Sequence, residues 1–201
     1  MSSDRGTRRG GLLIAIAAAL ATSVWPGCAA DAAPRPRNAR QLPNPQLVDQ
    51  HGRRVRFYDD LVADRTVVIQ FMYTRCEGAC PAATSTLVAA QRELAELMGR
   101  DVFFVSISID PARDTQGDLA AYADAHGVGD GWTFVTGAPA DIEALRRALG
   151  AYDLDPEVDK QRSNHSAMLV VGNDRKDRWT MVSGLSTATA VARAIRRVAG
   201  A

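Results

Sequence analysis

The chain is poor in sulfur and has no dominant charge. Three cysteines, Cys28, Cys76 and Cys80, stand among 201 residues. That is too few for a disulfide framework or for a four-cysteine zinc site. Lys and Arg total 24 against 23 Asp and Glu, a formal charge of +1, so the basic surplus that nucleic-acid binding requires is missing. The charge-free run Leu12–Val24 has 13 residues, short of the roughly 20 that a spanning helix needs. Residues 46–201 contain no internal repeat and no low-complexity stretch. What is present is a balanced composition, 46% hydrophobic, with a length suited to one domain and an appendage.

The appendage comes first. Arg5, Arg8 and Arg9 precede Leu12–Val24, and a basic n-region before a short apolar run is the layout of an export signal over residues 1–27. Pro26-Gly27-Cys28 resembles a bacterial lipobox, which would lipidate Cys28. Cleavage at Ala30-Asp31-Ala32 and an uncleaved anchor are the alternatives, and Thr7-Arg8-Arg9 is half of a twin-arginine signal. All of them place the protein outside a bacterial cytoplasm, in the periplasm or on the outer face of the membrane. Residues 28–45 hold Pro34, Pro36, Pro43 and Pro45. Such a composition makes a semi-rigid spacer of about 3.1 Å per residue.

Residues 46–201 read as one α/β domain. Gln46–Val48 and Val55–Phe57 flank the turn Asp49-Gln50-His51-Gly52 as a hairpin. Thr66–Phe71 and Val102–Ile109 are apolar, β-branched runs of the kind buried on both faces. Helices are expected from Pro81 to Met98, from Asp114 as N-cap to Ala125, from Asp141 to Leu149, and after Ser186 as N-cap. Trp132–Val135, Ala167–Val171 and Trp179–Val182 complete the strands, with a turn at Asn173-Asp174. The order ββ-βα-βα-βα-ββα gives a mixed sheet flanked by helices. Its closing antiparallel hairpin and helix make a thioredoxin-like fold plausible.

Cys76-Glu77-Gly78-Ala79-Cys80-Pro81 lies between the first buried strand and the first long helix. Pro81 suits the first helical position, which sets Cys80 near the N-cap, where the helix terminus favours a thiolate. A thiolate serves as nucleophile and as metal ligand alike. Cysteines four apart on a helical turn have Cβ atoms about 5–6 Å apart, whereas a disulfide wants about 3.5–4.5 Å. One metal with sulfurs at about 2.3 Å tolerates the wider gap, and a looped Glu77-Gly78 turn would permit the disulfide. Of the three histidines, His51 reads as a turn residue and His126 as a helix-end residue. His165 precedes a strand, where a core or surface role is at least as good an account as a ligand. A set of two cysteines and a histidine suits copper first and zinc second.

Phe71-Met72-Tyr73-Thr74-Arg75-Cys76-Glu77-Gly78-Ala79-Cys80-Pro81 resembles the SCO/SenC family of copper-binding proteins. Ser108-Ile109-Asp110-Pro111-Ala112-Arg113-Asp114-Thr115, His165-Ser166 and Leu47-Val48-Asp49-Gln50-His51-Gly52 resemble it too. The resemblance implies a thioredoxin-like fold and one copper ion, Cu(I) or Cu(II), held by Cys76, Cys80 and His165. It implies a membrane-tethered protein acting on the dinuclear copper site of cytochrome c oxidase, by delivering copper, by reducing that site's cysteines, or both. The expected partners are the copper-site subunit of the oxidase and other periplasmic copper carriers or thiol reductants. Where the family often has aspartate before the histidine, this chain has Asn164. Asp110 is expected to fix the loop beside the cysteines and Asp114 to cap its helix. The alternative function is a thiol–disulfide oxidoreductase with Cys76 attacking and Cys80 resolving. A third reading, a thiol peroxidase on the same fold with Cys76 peroxidatic, is disfavoured because this chain has no proline-threonine loop before Cys76.

Overall fold

The computed structural model describes residues 42–161 and 167–201. The export segment, most of the linker, Cys28, Asn164 and His165 lie outside the described residues.

Seven strands form one sheet: β1 (Gln46–Asp49), β2 (Arg54–Arg56), β3 (Thr66–Met72), β4 (Val102–Ser108), β5 (Trp132–Thr136), β6 (Met168–Asn173) and β7 (Arg178–Ser183). Their spatial order is β2-β1-β5-β4-β3-β6-β7. β3, β4 and β5 run parallel, while the β1–β2 and β6–β7 hairpins pair antiparallel. Helices α1 (Ala79–Glu93), α2 (Gln116–His126), α3 (Pro139–Ala148), α4 (Pro156–Asp159) and α5 (Ala188–Ala199) fill the connections and the C-terminus. The fold is thioredoxin-like, as the pattern suggested.

Every residue of β3 is buried, and its alternation divides the core in two. Val68 and Met72 face a layer containing Leu87, Leu94, Leu119, Val191 and Ile195. Val67, Ile69 and Phe71 face Phe57, Leu61, Ile142 and Leu145. A strand covered on both sides must be apolar at successive positions. Besides Thr66 at its start, Gln70 is the polar exception. It donates to Thr84 Oγ1 at 3.2 Å and accepts from Ser106 Oγ at 3.0 Å, and Trp132 Nε1 donates to Ser106 Oγ at 2.9 Å. These bonds satisfy groups that would otherwise be costly to bury.

Several boundaries differ from those read in the sequence. α1 starts two residues earlier than Pro81 and stops at Glu93, short of Met98; Arg196 Nη2 donates to the Glu93 carbonyl at 2.7 Å. Pro81 is therefore the third helical residue. It is tolerated because the first four amides of a helix have no intrahelical acceptor. Thr115, not Asp114, is the N-cap of α2: its side chain accepts from the Asp118 amide, and the Asp118 carboxylate accepts from the Thr115 amide at 2.9 Å. Thr187, not Ser186, caps α5 by accepting from the Ala190 amide. Phe57 opens a short π-helical turn, Phe57–Val62, rather than ending β2. Asn173 belongs to β6, and α4 was not anticipated.

Candidate metal and thiol site

Parallel strands β3 and β4 end side by side, with Met72 opposite Ser108. The chain leaving β3 turns at once: the Cys76 amide donates to the Tyr73 carbonyl at 3.2 Å. Gly78 is the N-cap of α1 and contributes no side-chain cap. The exposed helix amides are thus left for the cysteine sulfur that precedes them. A Cβ built on Gly78 would lie 4.0 Å from Cys76 Sγ, so the sulfur stands against this terminus.

The two cysteines are free thiols in unlike surroundings. Cys76 is half-buried; Cys80, the second residue of α1, is 2% exposed and joins the core on the face that carries Leu87. Burial alone would raise the Cys76 pKa. Bonds from the Cys80 thiol, from the Cys80 and Gly78 amides and from the Tyr73 side chain outweigh it and bring the pKa below its ordinary 9.0. Burial, reinforced by the Cys76 sulfur, pushes Cys80 up to about 12. The expectation that the helix terminus favours a Cys80 thiolate is therefore reversed. With α1 beginning at Ala79, Cys80 points inward and Cys76 takes the terminal amides. Only Cys80 is helical, so the intervening turn is looped.

Asp114 has a role that the sequence reading missed. It is 2% exposed, and its carboxylate accepts from the Thr74 amide at 3.1 Å, the Thr74 hydroxyl at 2.6 Å and the Ser108 hydroxyl at 2.6 Å. The signal was available: Thr115-x-x-Asp118 is itself a capping box, which frees Asp114 for other partners. Asp110 does organise its loop, since its carbonyl accepts from the Arg113 and Asp114 amides, both at 2.9 Å.

The other histidines stay away from this chemistry. The His51 side chain is exposed on the hairpin turn, its amide donating to Asp49 Oδ1 at 2.9 Å. His126 ends α2, with Nδ1 2.9 Å from the Tyr122 carbonyl and its ring stacked on Tyr122 at 4.1 Å. Among the described residues, no three His, Cys, Asp or Glu side chains gather as a metal cluster. The described part of the site is the soft donor pair Cys76 and Cys80, a fit for a thiophilic ion such as Cu(I).

A family profile described as SCO1/SenC matches residues 35–200. Protein sco1 of Schizosaccharomyces pombe is 29% identical over 158 residues, covering 74% of this chain and 57% of that protein. Protein SenC of Rhodobacter capsulatus is 37% identical over 98 residues, covering 46% of this chain and 43% of that protein. The chain thus spans about half the length of these relatives. Bradyrhizobium japonicum ScoI, solved with copper bound, superimposes with a TM-score of 0.61 at 24% identity, over 78% of this chain and 99% of that one. No described helix is long and apolar enough to cross a membrane.

Proposed function

Because the chain belongs to the SCO1/SenC family, we propose that it is an exported copper-binding protein, tethered to the membrane through Cys28, that serves assembly of the dinuclear copper site of cytochrome c oxidase. In this reading copper is cargo, one ion per chain, bound by Cys76, Cys80 and His165 and passed to the copper-site subunit. The observation that carries it is the paired thiols at the uncapped start of α1, one of them with its pKa lowered by the hydrogen bonds around it. Metal binding must expel the Cys80 proton, so uptake releases acid.

The test is titration of the reduced and the oxidised full-length chain with Cu(I) against a chromophoric chelator. The reduced chain takes one equivalent. The oxidised chain takes none, since a disulfide offers no thiolate. Equal uptake by both forms overturns the ligand set.

One observation favours a second reading, thiol–disulfide exchange. A half-buried thiol with lowered pKa beside a buried one at about 12 matches the division between an attacking and a resolving cysteine. His165→Ala separates the two functions, since imidazole supplies a metal bond but thiolate attack does not need it. Oxidase assembly at limiting copper fails in this variant if delivery is the function and survives if reduction is.

A further inference from the structure

We propose that Asp114 is a positioning residue for Cys76: through Thr74 it fixes where the Cys76 sulfur stands relative to the start of α1, and thereby sets both copper affinity and the stability of the Cys76–Cys80 disulfide. The copper part of this rests on the delivery reading above; the disulfide part does not.

The argument starts from where the chain is free to move. β3 is locked into the sheet as far as Met72, and α1 is regular from Ala79. The six residues between them, 73–78, carry the sulfur and contain Gly78 at their end. Within this stretch the Cys76 amide donates to the Tyr73 carbonyl at 3.2 Å. Thr74 lies between those two residues, and both its amide and its hydroxyl are bound by one carboxylate. Two bonds to a single partner fix the Thr74 backbone and side chain together, and so the direction in which the chain departs toward Cys76.

The carboxylate cannot drift, because its own anchors lie in the core. Ser108 is the fully buried last residue of β4. Its hydroxyl donates to Asp114 Oδ2 and also accepts from the Asp110 amide at 3.1 Å. The Asp114 amide donates in turn to the Asp110 carbonyl at 2.9 Å. Beside it the sheet ladder continues, as the Ile109 amide donates to the Met72 carbonyl at 2.8 Å. The loops leaving β3 and β4 are thereby stapled to each other at one side chain. All three donors are neutral, so the carboxylate is held by hydrogen bonds and not by an ion pair.

If the staple is loosened, the Cys76 sulfur loses its fixed station against the amides that open α1. Those amides stabilise the reduced pair, and losing them favours the disulfide. A metal held by both sulfurs loses a preorganised ligand; outer-shell changes of this kind cost about 10–100-fold in affinity.

The experiment uses the full-length chain carrying Thr74→Val, Thr74→Ser or Asp114→Asn. Each variant is measured by Cu(I) competition with bicinchoninate and by equilibration of the thiol pair with glutathione buffers, and circular dichroism checks folding. Thr74→Val lowers copper affinity about tenfold and moves the glutathione equilibrium about tenfold toward the disulfide, roughly 30 mV for a two-electron couple. Thr74→Ser keeps both bonds and restores both values. Asp114→Asn keeps one oxygen and falls between; should it not fold, the Thr74 pair decides alone. Thr74→Val within about twofold of the unaltered chain in both measurements, where outer-shell changes predict at least tenfold, overturns the inference. An unaltered chain that binds no copper defeats the delivery reading, while the glutathione measurement still decides the role of Asp114.

Discussion

Two stretches of this molecule are each held by a single carboxylate, and they are held by different physics. The loop before α1 is fastened by Asp114, buried and bonded to two hydroxyls and an amide that carry no charge. The stretch 150–161 after α3 is fastened by Asp159. This carboxylate accepts from Arg146 Nη1 and Nη2, both at 2.6 Å, and from the Asp153 amide at 2.8 Å. Arg146 Nη1 also donates to the Ala151 carbonyl at 3.0 Å, and Arg146 Nε to Glu143 at 3.0 Å. Residues 152–157 are exposed and α4 buries nothing. The cysteine loop is thus an extension of the core. The segment that leads toward His165 is a surface strap tied by guanidinium. Salt acts on the second more than on the first, because only the second is an ion pair.

The largest expected effect breaks the first tie. Asp114→Ala leaves the Thr74 amide and two hydroxyls without their acceptor in a site 2% exposed. Each stranded buried group costs about 1–3 kcal/mol, and the hydroxyls can partly turn to other partners. A loss near 3 kcal/mol by denaturant unfolding is expected, about the range of a lost buried network. A loss below about 1 kcal/mol would put Asp114 among ordinary surface substitutions and remove the contrast.

Breaking the second tie costs less and stays local. The Arg146 and Asp159 side chains are 14% and 9% exposed, between an exposed pair worth about 0.2–1 kcal/mol and a buried one whose disruption costs about 3–5. Asp159→Asn is therefore expected to cost about 1–2 kcal/mol. Hydrogen exchange should quicken in peptides covering 150–161 and not in β3. The effect depends on pH with a definite sign. Bonds from Arg146, opposed by burial and helped by the Asp153 amide, hold the Asp159 carboxyl well below its ordinary 3.8. A carboxyl lowered by folding contributes stability above its unfolded value, and that contribution drains as pH falls toward the folded one. The difference between Asp159→Asn and the unaltered chain should be constant from pH 7 to about 5 and shrink below about 4. A difference that grows on acidification would reverse the assignment.

What could be read from the sequence follows the same division. β3 and β4 were legible because a strand buried on both faces leaves an unbroken apolar run. The cysteines were legible as a pair because their spacing and Pro81 mark a strand-to-helix junction. Their ranking was not, since it turns on a two-residue shift in where α1 begins, and helix ends are the least certain feature of any pattern. Asp114 and Thr115 stand side by side as possible caps, and only Asp118, three residues beyond Thr115, distinguishes them. α4 spells Pro-Glu-Val-Asp, four residues with no period to detect. The assignment of His165 to the same site as Cys80, 85 positions earlier, rests on resemblance alone, because periodicity carries no information across such a gap.

The smallest expected effect sharpens the comparison from the side of the strap. Leu154 is 89% exposed, between Asp153, whose amide is bonded to Asp159, and Asp155, which caps α4 by accepting from the Glu157 amide at 2.9 Å. An apolar side chain exposed in both the folded and unfolded states gains almost nothing from folding, because burial is what the hydrophobic effect rewards. If ion pairs alone hold 150–161, Leu154→Ser should leave stability within about 0.5 kcal/mol of the unaltered chain and leave exchange in that segment unchanged, where Asp159→Asn quickens it. A loss above about 1 kcal/mol, measured by the same denaturant unfolding, would mean that the leucine is covered in the folded protein. The strap would then rest on apolar contact as the cysteine loop does, and the division drawn between the two regions would fail.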